Sequence, residues 1–362
     1  MWLWLLVMIL LVLPLRVHAI TSSLCSNCHT MHNSFQGSSM TNGTSSAQPL
    51  LLKYTCLGCH GMGGSQKIAY IGDIPVPQVL HTDPSGDLAG GNFAYITGAK
   101  QGNGTNPNRF GHNVIELGEA FRETAFGNDP PGHVHSFYGV DVRKYLSCAG
   151  YMGCHGDKRY YDAPQGTAAI KGAHHNNLNG KIDPPGTANP PGYYYRFLQG
   201  VKGYEISDWQ NLDSTHHNEY YGSTSAPVNY GSFCENCHTS SGGVLARYGT
   251  ISNFCATCHG NFHQQSTVGT SSPWLRHPTD VVIPNTGEFG NYTVYDPSVP
   301  VGRTYVPSSP SSTVTPGQDV VTCLSCHYAH AGPYPSMLRW NYSNVEAGRG
   351  SVSGCKVCHR NK

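Results

Sequence analysis

The sequence predicts a mostly irregular fold with short helices and few strands, whose interior is not assembled from side chains alone. Three observations predict it. Gly (43) and Pro (24) are abundant for 362 residues, and both interrupt long helices and wide sheets. Charged residues make up 12 per cent of the chain, about half the usual share in a soluble globular domain. Fourteen Cys and twenty His stand in one recurring arrangement, which ties them to a shared chemistry. Helix-period patterns are short throughout. The best runs from Val114 to Phe126 and carries Gly118 in its middle.

Cysteine spacing divides the chain into four regions. Residues 1–19 read as a signal peptide: Trp2 to Leu13 is an unbroken apolar run, and Val17-His18-Ala19 offers cleavage after Ala19. No Lys or Arg precedes that run, a departure from the usual pattern. An uncleaved anchor is the rival reading, but the run falls short of the roughly 20 residues that span a bilayer. Residues 20–145 form an N-terminal region with two tight cysteine clusters, followed by a Cys-free stretch rich in Gly, Pro and Asn. Residues 146–230 are a middle region with one odd cysteine pair and a Tyr-rich stretch that includes Tyr193-Tyr194-Tyr195. Residues 231–362 hold four clusters, interrupted at 296–319 by a Pro/Ser-rich loop expected to be exposed.

Each cysteine is best read with its neighbours. Cys25-Ser-Asn-Cys28-His29, Cys56-Leu-Gly-Cys59-His60 and Cys234-Glu-Asn-Cys237-His238 share one pattern with Cys255-Ala-Thr-Cys258-His259, Cys323-Leu-Ser-Cys326-His327 and Cys355-Lys-Val-Cys358-His359. These six C-x-x-C-H motifs are the signature of covalent haem c attachment. The two thiols add to the two vinyl groups, and the following His becomes the proximal iron ligand. Structural zinc combines C-x-x-C pairs into four-ligand sets without a His after each pair. A disulfide framework has no reason to place His there either. The remaining cysteines form Cys148-Ala-Gly-Tyr-Met-Gly-Cys154-His155, with five residues between the thiols instead of two. The extra three can bulge outward while the sulfurs keep their positions. All fourteen Cys then divide into seven haem sites, or six if Cys148 and Cys154 form a disulfide. Large apolar porphyrins would supply the interior that the polypeptide lacks.

Each proximal ligand, including His155, leaves one axial position open. Twelve further His remain once His18 leaves with the signal peptide, enough for bis-histidine ligation at every iron. His32 and His330 lie three residues after their own proximal His, too close to reach the opposite face, so each is expected to cap another haem. His263, four residues after His259, is read the same way. His112, His217 and His277 sit in loop contexts suited to ligands, and His175 is favoured over its neighbour His174. His81, His133, His135 and His216 are reserves, and the methionines are read as filler.

The chain resembles the doubled-CXXCH multihaem c-type cytochromes of metal-reducing microbes. The resemblance rests on Cys25-Ser-Asn-Cys28-His29-Thr-Met-His32-Asn-Ser, Leu88-Ala-Gly-Gly-Asn-Phe93 and Gly111-His112-Asn113. It also rests on Cys255-Ala-Thr-Cys258-His259-Gly-Asn-Phe-His263, Ser272-Pro-Trp-Leu-Arg-His277-Pro-Thr-Asp and Cys323-Leu-Ser-Cys326-His327-Tyr-Ala-His330. It implies low-spin, bis-His haems stacked in a row. Members are periplasmic or extracellular and some form filaments, but non-polymerising relatives share these motifs. The Cys148–Cys154 spacing departs from the family pattern.

The expected function is electron transfer along closely spaced haems, with potentials tuned by ligand, burial and hydrogen bonding. The chain would be exported to the periplasm, the cell surface or beyond, with no transmembrane span after cleavage. Its partners would be redox proteins or extracellular electron acceptors, with self-assembly into filaments left open. A net charge of +1 gives no basis for nucleic-acid binding. The rival is a multihaem oxyanion or metal reductase, which needs one iron with an open site; no C-x-x-C-K variant is present, and the histidine surplus argues against it. Asn42, Asn103, Asn291 and Asn341 head N-x-S/T sequons, read as chance occurrences.

Overall fold

A computed structural model describes residues 24–35, 37–39, 49–62, 64–133, 141–156, 170, 174, 195, 197–198, 201–204, 219–224, 249–262, 276–307, 311–346 and 354–360. The expected signal peptide and the motif Cys234–His238 lie outside these residues, as do His175, His217 and His263. Regular structure is sparse and short, as Gly, Pro and the absence of sustained periodicity dictate. The longest described helix, Ile251–Ala256, has six residues, and most helical segments are single turns. No described helix is long and apolar enough to cross a membrane.

Strands appear as small pairs. β1 (Ser34–Phe35) and β2 (Ser38–Ser39) form a tight hairpin, and β3 (Ile68–Ile71) pairs antiparallel with β4 (Ile74–Pro77). β5 (Ser147–Ala149) and β6 (Gly153–His155) align in parallel. A five-stranded mixed sheet collects β7 (Gly203–Tyr204), β8 (Glu219–Tyr221), β9 (Val281–Val282), β10 (Gly302–Arg303) and β11 (Val320–Val321) in the order β7-β8-β10-β11-β9.

Three small apolar clusters stand in place of one polypeptide core. The first joins Leu57, Phe93, Tyr95, Ile96, Phe110 and Val114 to Ala331 from far along the chain. A second gathers Tyr195, Val201, Tyr220, Ile251, Phe254 and Leu324, and a third Ile283, Tyr292, Tyr295, Val301 and Val314. Backbone bonds stitch the first cluster: Asn92 N donates to Ala331 O at 2.8 Å, His330 N to Gly90 O at 2.8 Å and Gly332 N to Phe110 O at 2.8 Å. Asn92 is buried and organises the Leu88–Phe93 turn, its amide donating to His81 O and to the Asp87 carboxylate while its oxygen accepts from Ala94 N.

Two expectations are corrected. Val114–Phe126 is not one helix but two single turns, Ile115–Leu117 and Glu119–Phe121, parted by Gly118 at φ 98°. Nor is segment 296–319 simply an exposed loop. Val299, Val301 and Val314 are buried, and the buried Arg303 guanidinium contacts the Asp319 carboxylate at 3.1 Å. Alternate small polar residues masked a valine set that the third cluster needs.

Candidate haem-binding sites

The five described C-x-x-C-H motifs share one local conformation. Each is a single helical turn: His N donates to the carbonyl of the first Cys at 2.8 Å in Cys25–His29, 3.0 Å in Cys255–His259, 3.0 Å in Cys323–His327 and 2.8 Å in Cys355–His359, while Cys56–His60 is itself a helix. Residues i, i+3 and i+4 of a turn lie on one face. Both thiols and the imidazole are therefore presented together. Thr55 and Thr250 cap two of these turns, accepting from Gly58 N and Asn253 N. Thr250 in turn donates to Asp280, a buried carboxyl that desolvation pushes up to about 7. Ser252 on the same helix accepts from Cys323 N at 3.3 Å, tying one motif to the next.

The Cys148–His155 stretch reaches a similar result by another route. The three extra residues fold out as a loop closed by Ser147 N to Met152 O (3.2 Å), Gly153 N to Gly150 O (2.9 Å) and Gly150 N to His155 O (3.2 Å). No Cβ fits at Gly153, which would sit 2.3 Å from the carbonyl carbon of Ala149. None of the twelve described cysteines forms a disulfide, Cys148 and Cys154 included.

Proximal imidazoles are held at Nδ1 by acceptors. His29 donates to Leu50 O (2.9 Å), His60 to Pro77 O (2.9 Å), His259 to Pro131 O (2.6 Å) and His327 to Ser336 O (2.8 Å), while His359 faces Glu288 Oε1 at 3.3 Å. A carbonyl only accepts, so the proton sits on Nδ1 and the Nε2 lone pair is left for a metal. His112 and His277 are fixed alike, by Ala329 O (2.8 Å) and Pro278 O (2.9 Å).

These rings meet in pairs: His60 with His174 at 6.3 Å between centroids, His112 with His259 at 6.1 Å, His155 with His330 at 6.0 Å and His277 with His359 at 6.2 Å. Metal–imidazole bonds of about 2.0 Å and a centroid-to-nitrogen distance of about 1.1 Å, from ring bonds near 1.33 Å, place two axial rings on one metal about 6.2 Å apart. The observed spacings match that span, and each pair joins a proximal His to one from elsewhere. Burial lowers the pKa of His112 and His277 and takes His330, beside His155, His112 and His60, down to about 3. Neutral imidazole is the form that ligates. The residues present fit a haem iron between each pair.

Of the expected distal ligands, His112, His277 and His330 each lie within one of these ring pairs. His174 faces His60, and His175 lies outside the described residues. His32 is exposed and enters none of the four pairs. His81 enters none of the four pairs: its Nδ1 accepts from Asp83 N at 3.1 Å, and the ring is buried beside Asp87.

Sequence reasoning missed a repeated cradle. Thr30 N donates to Leu51 O and Lys53 N to Cys28 O, each at 2.8 Å; Tyr328 N donates to Met337 O at 2.8 Å and Arg339 N to Cys326 O at 2.9 Å. In both copies two consecutive residues take φ near +60°, Leu50-Leu51 and Ser336-Met337. The first of each pair points its carbonyl at the proximal Nδ1. Left-handed conformation in non-glycine residues stores strain that accompanies a fixed site. The signal was legible as Pro-x-x-Leu followed by a basic residue, Pro49–Lys53 and Pro335–Arg339.

Successive motifs also touch. The Cys148 thiol contacts Cys56 and the Cys255 thiol contacts Cys323, while Cys59 feels the charge of Cys28, Cys255 that of Cys154 and Cys326 that of Cys355. Burial and these neighbours push Cys59 and Cys326 up to about 12. The attachment points at Cys56 and Cys148, and those at Cys255 and Cys323, therefore adjoin.

An attachment motif repeated six times, with four imidazole pairs set near the span of a single metal, is the pattern that covalent binding of several c-type haems calls for. No family model matches the chain. It is similar to the C-type cytochrome OmcS of Geobacter sulfurreducens, 25% identical over 350 residues that cover 88% of this chain and 78% of that one. Two solved structures from the same organism are also similar: the OmcS nanowires (TM-score 0.44, 20% identity, 90% of this chain and 85% of that one) and the Outer Membrane Cytochrome S filament (TM-score 0.42, 18% identity, 93% and 88%).

Proposed function

We propose that the chain carries electrons along seven covalently bound, bis-His haems in the periplasm or outside the cell, exchanging them with redox proteins or extracellular acceptors. The observation that carries this reading is the set of four His pairs at 6.0–6.3 Å, each combining a proximal imidazole with a remote one. The pair His155–His330 supports haem attachment at the Cys148–Cys154 site. His32 occupies the repeat position of His330, which faces the imidazole of another motif. By the same geometry His32 serves an iron other than that of His29. His175, His217 and His263 remain proposed ligands, and seven irons have candidates enough.

Intact mass of the exported protein tests the count. Seven haems and a start after Ala19 are expected, and Cys148→Ser combined with Cys154→Ser removes one haem. A wild-type mass carrying six overturns the reading of that site. We further propose that units associate end to end, continuing the file of haems from chain to chain. Negative-stain microscopy of the secreted material is expected to show linear assemblies; discrete particles at every concentration would contradict this.

A further inference from the structure

Cys148 raises a problem that the other described attachment cysteines do not. In those motifs the first Cys opens a helical turn whose own hydrogen bond fixes both thiols. Cys148 lies on the short strand β5, which pairs only with β6. A loop with five residues between the thiols leaves the first of them without that constraint.

Glu116 stands in the gap. Its Oε1 accepts from Cys148 N at 3.0 Å and from Ser147 Oγ at 2.5 Å. Its own turn, Ile115–Leu117, is held to the same stretch by Ile115 N donating to Leu146 O at 2.8 Å. Its second oxygen, Oε2, is buried without a hydrogen-bond partner. Burying a carboxyl with one oxygen unsatisfied is costly, so the position must answer a specific need. That need is an acceptor for the backbone of a half-buried cysteine that no helix holds. Burial raises the Glu116 pKa, and the neutral acid still presents a carbonyl oxygen to Cys148 N.

We propose that Glu116 is the positioning residue for covalent attachment at Cys148, holding the thiol where it meets a vinyl group of the third haem. The addition places the sulfur on the inner vinyl carbon and the thiol hydrogen on the outer one; no group leaves and no electrons are exchanged. This inference rests on the proposed third haem at Cys148–His155.

The test compares full-length exported protein carrying Glu116, Glu116→Ala, Glu116→Gln or Ser147→Ala. Each is denatured, alkylated with iodoacetamide, digested and mapped by mass. In Glu116→Ala, alkylation at Cys148 rises about tenfold, the scale of losing an orienting partner, while the other motifs stay protected. The pyridine haemochrome band also shifts to the red, the sign of a haem held by one thioether. Glu116→Gln keeps the acceptor and restores protection, and Ser147→Ala leaves Cys148 protected. Protection of Cys148 in Glu116→Ala equal to wild type overturns the proposal, as does uniform loss of haem from every motif. Alkylation or a disulfide at Cys148 and Cys154 in the wild type instead overturns the third haem itself.

Discussion

Replacing His330 by Ala is expected to leave the full complement of haems attached while turning the third one high-spin. Covalent attachment depends on cysteines and His330 is not next to any of the thiols in sequence, so intact mass should change only by the substitution itself, with the haem count unaltered. What changes is the axial position opposite His155, whose ring lies 6.0 Å from that of His330. His330 is packed against Phe93 at 5.2 Å, and its Nδ1 is buried without a partner. A five-coordinate iron absorbs and resonates differently from the proposed bis-His centres, so electron paramagnetic resonance and the visible spectrum should each report one new high-spin centre. Added imidazole should return the low-spin signal by occupying the space left by the side chain. A spectrum indistinguishable from wild type would remove His330 from the ligand set. Loss of one strong donor also changes that haem's potential relative to its neighbours, which slows passage along the file at that step.

Part of this arrangement could be read directly from residues and part could not, and the boundary is physical. Proximal ligation is local: Cys, Cys and His at i, i+3 and i+4 share one face of a turn, so the order of letters already contains the geometry. Distal ligation is not local. His112 and His330 are brought side by side where the chain closes through Asn92, Gly111 and Ala331, and His259 is held at Pro131 and Gly132; no periodicity encodes those closures. His174 faces His60, while His175 lies outside the described residues. The valines at 299, 301 and 314 escaped notice because Pro and Ser around them read as a solvated loop, whereas apolar burial needs only a few well-placed side chains. The Pro49–Lys53 and Pro335–Arg339 cradles were visible as similar pentapeptides, yet their meaning lies in two left-handed residues that composition does not signal.

The largest stability effect is expected from Gly91→Ala, a change of one methyl group in the first cluster. Gly91 has φ +90°, a conformation that costs an L-residue energy before any contact is considered. An added Cβ would also stand 2.0 Å from Ala331 O and 3.0 Å from Tyr328 Cβ. Neither neighbour is a flexible tip that can swing away: Ala331 O accepts from Asn92 N, and Ala331 itself bridges Gly111. The 328–332 segment must therefore move, or the Leu88–Phe93 turn must. Backbone strain plus overpacking amounts to about 2–5 kcal/mol, a large share of the stability of an ordinary domain. Thermal and denaturant unfolding followed by far-ultraviolet circular dichroism should show a clear drop in midpoint. Because His330 precedes Ala331, the damage should extend to the metal: a high-spin fraction at the third haem should appear before unfolding begins. In a Gly91→Ala, His330→Ala double variant the two spectral changes should not add, since both act on the same axial position. An unchanged midpoint with fully low-spin haems would mean that the contact between the 88–93 turn and the 328–332 segment does not hold His330 in place.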